Sequence, residues 1–309
     1  EKMKRALNYF KILIKDVWIS SRPLSLTLAV ASTTLGIVVA YNQGYLFNSQ
    51  VALDWFKIIL ITVAGILAQL GANFINDYFE GSFRYHRPSG RKIKFLGVER
   101  TYFDILVFMC GMGSFAGAAV IGILLILLTN MQMFWIGIIG IIGSYAYTGE
   151  PFVYKRRGLG VPLSFLLMGP LMVYGAYFPF GMGFSWTPVL IALPPSFFIP
   201  ALMISNEMRD FTRDKGLSLG TLSVRIGSEK SKKLYATLVF GAYVLTAIYV
   251  VLGICPLPAL LVFFTLPLAF KAYKCVASFK GLGIPYTNNL HWLFNLIFIG
   301  SLLIQGFLR

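Results

Sequence analysis

The sequence predicts an all-α fold in which a polytopic bundle of nine transmembrane helices spans a membrane. Two features indicate this fold. Hydrophobic residues make up 57% of the 309 residues and charged residues only 13%, whereas an average soluble domain carries about 25% charged residues. In addition, apolar runs of the roughly 20 residues that cross a bilayer recur along the chain. We therefore expect one integral-membrane domain over residues 1–309.

Nine apolar segments meet this length requirement, and their order along the chain defines the predicted topology. Prolines inside several of them are compatible with membrane helices, because neighbouring helices can satisfy the freed carbonyl groups. The predicted spans cover residues 23–41, 55–80, 103–128, 132–149, 161–180, 187–208, 233–253, 257–275 and 290–308.

The distribution of basic residues is an independent test of these spans. Neither lysine nor arginine occurs in four of the connecting segments, 42–54, 129–131, 181–186 and 254–256. Nearly all of the 27 basic residues fall in segments on the other side, which we call the basic side: 1–22, 81–102, 154–160, 209–233 and 271–280. By the positive-inside rule, the basic side and the N-terminus are expected to be cytoplasmic, with the protein in a cell membrane and its C-terminus outside.

Two short acidic segments stand out, because each follows a long apolar helix where that helix reaches the basic side. At 3.6 residues per turn, the polar residues of each segment share one stripe of the helix. The first stripe consists of Asn73, Asn76, Asp77 and Glu80, and the second, at spacing i, i+4 and i+8, of Asn206, Asp210 and Asp214.

Carboxylates at this depth in a membrane are costly and are functional candidates by default. Hard oxygen ligands suit Mg²⁺, which takes one or two protein carboxylates and completes its shell with water and substrate phosphates. One such stripe alone is explained equally well as an ordinary polar helix end. Two matching stripes favour a Mg²⁺ site that holds the phosphates of a substrate.

Three basic residues, Arg22, Lys155 and Arg209, lie near span ends or beside the acidic stripes. We expect them to contact an anionic substrate group such as a pyrophosphate, while most other basic residues only set the topology. The net charge of +15 is thereby explained without nucleic acid as a partner. Membrane lipid is the expected surrounding.

The acidic segments resemble the two aspartate-rich motifs of the UbiA superfamily of intramembrane prenyltransferases. The resemblance covers nearly the whole chain, and its second motif is the more specific one. A third motif is similar to the corresponding segment in one branch of this superfamily, which prenylates 1,4-dihydroxy-2-naphthoate in menaquinone biosynthesis. The matching residues are Asn73, Asp77 and Gly81; Asn206, Arg209, Asp210, Asp214, Gly216, Thr221, Leu222, Val224, Arg225 and Gly227; and Tyr147, Thr148, Gly149, Pro151, Gly158, Leu159 and Gly160.

The resemblance implies a central cavity, capped by loops at about 81–102 and 209–232, with Mg²⁺ as cofactor. It also implies an isoprenyl pyrophosphate donor and an aromatic or lipid-soluble acceptor. The catalytic residues would be Asp77, Asp210 and Asp214, and the metal-facing residues Asn73, Asp77, Glu80, Asn206, Asp210 and Asp214. The substrate-binding residues would be Arg22, Tyr147, Lys155 and Arg209.

One departure from the family pattern concerns the first motif. The family often has a second aspartate where Glu80 stands and a further acid three or four residues later, but this chain has Phe83 and Arg84 there. Glu80 either replaces the missing ligand, or the first stripe holds metal with fewer carboxylates.

Two alternatives remain open at this stage. The acceptor of a UbiA-type enzyme could instead be 4-hydroxybenzoate, a glyceryl-phosphate lipid precursor or haem. A transporter of a divalent cation or an anionic solute would also place acidic residues inside a bundle. A transporter predicts polar residues through the full depth of several helices, whereas here they concentrate at one membrane face.

Overall fold

The computed structural model describes residues 2–81 and 91–307, and α-helices make up most of this part of the chain. The α-helices are α1 Lys2–Ser21, α2 Pro23–Asn42, α3 Val51–Glu80, α4 Tyr102–Leu128, α5 Gln132–Ala146, α6 Gly160–Leu166, α7 Met172–Gly181, α8 Thr187–Ser196, α9 Phe198–Arg209, α10 Phe211–Gly216, α11 Leu222–Ile226, α12 Ser228–Val251, α13 Leu266–Ala277 and α14 Gly283–Phe307. Shorter helical turns are the 3-10 segments Tyr154–Arg157 and Leu257–Thr265 and the π-helical segment Leu167–Leu171.

The predicted membrane bundle is confirmed, and the described residues contain eight helical segments long and apolar enough to cross a membrane. These segments are Pro23–Asn42, Val51–Glu80, Tyr102–Leu128, Gly160–Gly181, Thr187–Arg209, Ser228–Val251, Leu257–Ala277 and Gly283–Gln305. The remaining predicted span, 132–149, contains the shorter apolar helix α5. At 1.5 Å per residue, its 15 residues extend about 22 Å, less than the roughly 30 Å of a bilayer core.

Local sequence explains where several helices begin and bend. Pro23 occupies the first turn of α2, where its missing N–H costs no hydrogen bond. Thr101 and Asp104 form a reciprocal capping box at the start of α4. Between α6 and α7, Pro170 and the non-helical backbone of Gly169 produce the π-helical segment, so this span crosses the bundle as a kinked helix.

Helix α14 begins seven residues before the predicted start of the last span. The prediction relied on apolar residues, whereas the first two turns of α14 carry polar residues that are buried. Thr287 and Asn288 are buried inside the bundle. The Thr287 hydroxyl lies 2.7 Å from the Tyr235 hydroxyl and donates to the Gly283 carbonyl at 2.6 Å. Hydrogen bonds between neighbouring helices thus allow polar residues to lie within the membrane.

A β-hairpin in the first cap loop was not predicted from the sequence. Strands β1 Lys92–Phe95 and β2 Val98–Thr101 pair antiparallel across Leu96 and Gly97, which both have positive φ. The Arg100 guanidinium lies 4.4 Å from the centre of the Tyr78 ring, so the hairpin packs on the last turns of α3. The motif departure at Phe83 and Arg84 lies outside the described residues.

A glycine contact allows α2 and α7 to approach each other closely. A Cβ atom at Gly36 would collide with the Val173 carbonyl oxygen and would lie 2.7 Å from the Ala176 Cβ. The backbones therefore touch at this point, as is common where small residues mediate helix packing in membranes.

We predict that Gly36→Leu will destabilise the protein by at least about 2 kcal/mol, because a side chain cannot fit without separating α2 from α7. Thermal unfolding of the purified protein in detergent measures the loss. The matched control is Gly113→Leu on α4, where nothing lies within 4 Å of an added Cβ. Equal melting temperatures for the two variants would contradict the close packing described above.

Candidate active site

The helices enclose a cavity of about 1480 Å³ that extends to the helix ends on the basic side. Its deeper walls come mainly from apolar and small residues of α3, α4, α5 and α7. These include Ile61, Ala64, Ala118, Gly122, Ile126, Gly137, Ile141, Met172 and Ala176. The charged residues of its lining belong to helix ends and loops on the basic side. One end of the cavity is therefore ionic, and the rest is mostly apolar.

Basic residues outnumber acidic ones at this ionic end. Among the described residues that line the cavity, five are basic and three are acidic. The basic residues are Arg22, Lys155, Arg156, Arg209 and Arg213, and the acidic residues are Glu80, Asp210 and Asp214. The excess of positive charge, in surroundings that are partly shielded from water, favours an anionic ligand group.

The first stripe is ordered by contacts with the junction between α1 and α2. The Asn73 amide donates to the Ser21 carbonyl at 2.7 Å and to the Ser25 hydroxyl at 2.8 Å. Arg22 donates to the Asn76 side-chain oxygen. Asn73, Asn76 and Arg22 all line the cavity, so this junction and the last turns of α3 form one wall of its ionic end.

Asp77 occupies a different position from the rest of its stripe. It is buried, its Oδ2 accepts a hydrogen bond from the Ser20 hydroxyl at 2.8 Å, and it is not part of the described cavity lining. Asp77 therefore lies behind this wall, against the end of α1. The sequence analysis did not single out Ser20, because a serine next to a membrane helix carries no distinctive pattern.

Glu80 is paired with the basic residues of the 3-10 turn Tyr154–Arg157. Its Oε2 lies 2.5 Å from the Lys155 Nζ and accepts a hydrogen bond from the Asn76 amide at 3.0 Å, while its Oε1 lies 3.9 Å from the Arg156 Nε. The side chains of Glu80 and Lys155 are each only 17% exposed. This ion pair joins the end of α3 to the loop that follows α5.

The second stripe is not carried by one continuous helix, contrary to the prediction. Helix α9 ends at Arg209, and Asp210 has φ −94° and ψ 3° before α10 begins. Two backbone hydrogen bonds still preserve the i, i+4 spacing, from the Asp210 N–H to the Asn206 carbonyl at 3.2 Å and from the Asp214 N–H to the Asp210 carbonyl at 2.9 Å. All three side chains consequently line the cavity, as expected.

One guanidinium nitrogen bridges the two carboxylates of this stripe. The Arg213 Nη2 lies 3.0 Å from the Asp210 Oδ2 and 2.7 Å from the Asp214 Oδ1. The two carboxylates therefore converge on a single position that a positive charge already occupies. Two converging carboxylates with the Asn206 amide nearby are a donor set that fits Mg²⁺, which leaves its other positions to phosphates and water.

The two aspartates differ in proton affinity. Burial by itself raises the pKa of Asp210, but the hydrogen bonds and charge of Arg209, together with the charge of Arg213, outweigh this effect and lower the pKa below its ordinary value. Burial raises the pKa of Asp214 above its ordinary value, and the hydrogen bond from Arg213 offsets only part of the rise. As the pH falls, Asp214 is therefore protonated before Asp210.

Two tyrosines form an aromatic part of the wall next to Lys155. The rings of Tyr147 and Tyr154 pack edge to face, with their centres 5.5 Å apart. The Lys155 Nζ lies 5.6 Å from the centre of the Tyr147 ring. The structure thus brings Tyr147 and Lys155 together in the cavity wall.

Arg156 and Arg213 were not among the predicted substrate-binding residues, although both line the cavity. The spacing of Arg213 offered a signal, because it is three residues from Asp210 and next to Asp214. Arg156 offered none, since its position depends on the fold of the loop after α5.

The fold defines an integral membrane protein, and its cavity is ionic at one end and mostly apolar elsewhere. The sequence model of the UbiA prenyltransferase family matches residues 35–281. The chain therefore belongs to the UbiA prenyltransferase family and is a prenyltransferase.

Relatives of known name have modest sequence identity. The chain is 27% identical over 235 residues to the 1,4-dihydroxy-2-naphthoate octaprenyltransferase of Mycobacterium leprae, covering 76% of this chain and 77% of that protein. It is 26% identical over 314 residues to the 2-carboxy-1,4-naphthoquinone phytyltransferase of Synechocystis, covering 95% and 93%.

Solved structures share the fold at lower identity. A UbiA homolog from Archaeoglobus fulgidus bound to DMAPP and Mg²⁺ has a TM-score of 0.61 and 17% identity, with 93% of this chain and 96% of that chain covered. The apo structure of a UbiA homolog from Aeropyrum pernix K1 has a TM-score of 0.63 and 14% identity, with 89% and 96% covered.

The pairing of Glu80 with Lys155 generates a prediction that separates two roles for this acid. If Glu80 is the counter-ion of Lys155 and Arg156, Glu80→Gln should bind inorganic pyrophosphate about tenfold more tightly without Mg²⁺, because the competing acid is gone. Calorimetry on the purified protein in detergent measures the affinity.

The control for this prediction is Glu229→Gln, which changes an acid with a 77% exposed side chain outside the cavity. Unchanged affinity without Mg²⁺, together with weaker binding in its presence, would instead make Glu80 a metal ligand.

Proposed function

We propose that this protein transfers an isoprenyl group from a polyprenyl pyrophosphate to an aromatic acceptor in a Mg²⁺-dependent reaction, and that the acceptor is 1,4-dihydroxy-2-naphthoate in menaquinone biosynthesis. The observation that carries this proposal is the continuity of one cavity of about 1480 Å³ from a basic, carboxylate-bearing end into a mostly apolar interior. A prenyl pyrophosphate has the same two-part character, an anionic head on a long apolar tail.

The pyrophosphate would occupy the ionic end, between the two stripes. Asp210, Asp214 and Asn206 would hold Mg²⁺ on the side of the second stripe. Asn73, Asp77 and Glu80 are the metal-facing candidates of the first stripe, although Asp77 lies behind the wall and Glu80 is paired with Lys155. Arg22, Lys155 and Arg209 would contact the phosphate oxygens, a role to which Arg156 and Arg213 are equally suited.

The chemistry of this site follows from charge. Mg²⁺, when bound, neutralises the charge that develops on the departing pyrophosphate. The basic side chains around the head group add to this stabilisation, because they are already oriented before the bond breaks. The apolar walls keep water away from the allylic cation that remains. The face of Tyr147, which already lies near the Lys155 ammonium, is a suitable surface for that cation.

The choice of acceptor is supported by the names of two relatives, which act on naphthoate or naphthoquinone compounds. The electron-rich ring of the acceptor would attack the allylic carbon, and the carboxylate at that ring position would leave as CO₂. Acceptors of other UbiA-type enzymes, such as 4-hydroxybenzoate, a glyceryl-phosphate lipid precursor or haem, are the alternatives within this class.

A transporter is disfavoured by the distribution of charge in the cavity. The charged lining residues among the described part of the chain all lie at its basic-side end, and the deeper walls are mainly apolar. A pathway for ions would require polar groups through the full depth of the membrane.

We predict that the purified wild-type protein will convert geranylgeranyl pyrophosphate and 1,4-dihydroxy-2-naphthoate to a prenylated product when Mg²⁺ is present, and that EDTA will abolish the reaction. Asp210→Ala should lower the rate at least about 100-fold, since it removes a carboxylate from the proposed metal site. Asp77→Ala is expected to do the same if it reaches the metal. Liquid chromatography of the reaction mixture measures the product.

The control is Glu229→Ala, which removes an exposed acid on the same side of the membrane and should retain full activity. Product with another aromatic acceptor, but none with the naphthoate, would keep the reaction and change the acceptor. No product and no Mg²⁺-dependent donor binding would contradict the proposed function.

The proposed orientation places the basic side in the cytoplasm. Asn48, between α2 and α3, and Lys230, in the first turn of α12, are exposed. The predicted topology puts them on opposite sides of the membrane. In a variant without native cysteines, Asn48→Cys should react with a membrane-impermeant maleimide on intact cells, and Lys230→Cys only after lysis. The reverse pattern would invert the topology.

A further inference from the structure

We propose that Glu207 is a positioning residue that holds segment 217–226, here called the roof, over the ionic end of the cavity and so excludes water from the reaction. This inference rests on the proposed prenyl transfer. Glu207 lies on α9 beside the second stripe, yet it is not part of the described cavity lining. Its side chain points to the roof instead.

A buried contact with Ser223 connects Glu207 to the roof. The Glu207 Oε2 accepts from the Ser223 backbone N–H at 2.8 Å, and the two residues are only 4% and 1% exposed. In the described part of the chain Glu207 forms no ion pair. A buried carboxylate is costly without compensation, and a hydrogen bond to a charged acceptor is among the stronger ones. The contact therefore fixes the roof to α9.

The roof separates the cavity from the surrounding solvent. Leu217 and Ser218 are exposed on its outer side. Leu219 and Thr221 line the cavity on its inner side, and Thr221 is only 1% exposed. The Thr221 hydroxyl oxygen is buried without a hydrogen-bond partner among the described residues.

A second contact sets the other edge of the roof. The Arg225 side chain donates to the Gly220 carbonyl at 2.7 Å and to the Arg156 carbonyl at 3.4 Å. A Cβ atom at Gly220 would lie 2.5 Å from the Arg156 carbonyl oxygen, so the roof rests directly on the loop after α5. The Glu207 carboxylate on α9 and the Arg156 carbonyl in the loop after α5 thus hold the roof from two different parts of the bundle.

Loosening the roof would open a side reaction with water. The bond between C1 of the donor and its pyrophosphate oxygen breaks, and the electron pair leaves with the pyrophosphate. The oxygen of a water molecule then bonds to C1 and loses a proton, which yields a prenyl alcohol and pyrophosphate. A well-held roof suppresses this hydrolysis, because ionisation then occurs where water is excluded.

The test measures prenyl alcohol made from geranylgeranyl pyrophosphate and Mg²⁺ without acceptor, by the full-length protein in detergent. Glu207→Ala should release geranylgeraniol about tenfold faster than wild type, the change expected from losing one hydrogen bond to a charged group. Glu207→Gln keeps an acceptor oxygen and should restore most of the wild-type behaviour. Glu229→Ala is the matched control, because it removes an acid whose side chain is 77% exposed and which makes no hydrogen bond or ion pair with the roof in the described part of the chain.

Arg225→Ala is a second variant that should loosen the roof. Because Arg225 is exposed, this variant should fold even if Glu207→Ala does not. Hydrogen exchange of the 219–226 amides should accelerate in Glu207→Ala but not in Glu229→Ala. Unchanged alcohol release and unchanged exchange in folded Glu207→Ala and Arg225→Ala would overturn the inference. If the wild-type protein consumes no donor at all, the proposed function fails, and amide exchange still decides whether Glu207 holds the roof.

Discussion

The mutual neutralisation of acidic and basic side chains at one end of an apolar bundle is the interaction on which the rest of the structure depends. Glu80 pairs with Lys155, and Arg213 bridges Asp210 and Asp214. Unpaired charges at the edge of a membrane would be costly. Each pair also joins separate parts of the chain or stabilises a break in a helix. The same contacts therefore assemble the ionic end and keep its charges ready for a ligand.

The cavity exists because the helices pack tightly at some points and leave space at others. At Gly36 the backbones of α2 and α7 touch, which closes that side of the bundle. By contrast, Gly122 on α4 and Gly137 and Gly140 on α5 line the cavity, and nothing lies within 4 Å of a Cβ added to any of them. Glycine thus serves two purposes in this bundle. Gly36 allows two helices to touch, whereas the glycines of α4 and α5 leave open volume in the cavity that can accommodate an apolar tail.

Several features of the site depend on contacts between residues that are distant in sequence. Asp77 shares a helical stripe with Asn73, yet Ser20 holds it behind the cavity wall. Asp210 lies at a helix break, although the spacing of its stripe is that of an intact helix. The hairpin of the first cap loop packs on Tyr78 through Arg100, a partner that no local pattern indicates. Periodicity describes one helix at a time and cannot report such neighbours.

The sequence by itself determined that this protein spans a membrane, where its long helices run, and which short segments carry the acidic residues of the site. These properties follow from composition, apolar length and local spacing, which act within about 20 to 30 residues. Only the tertiary structure decided that Lys155 meets Glu80, that Arg213 lies between two aspartates, and that Glu207 supports a loop rather than the cavity wall. The partner of a charged side chain is set by which helix ends lie together, and helix packing determines that arrangement.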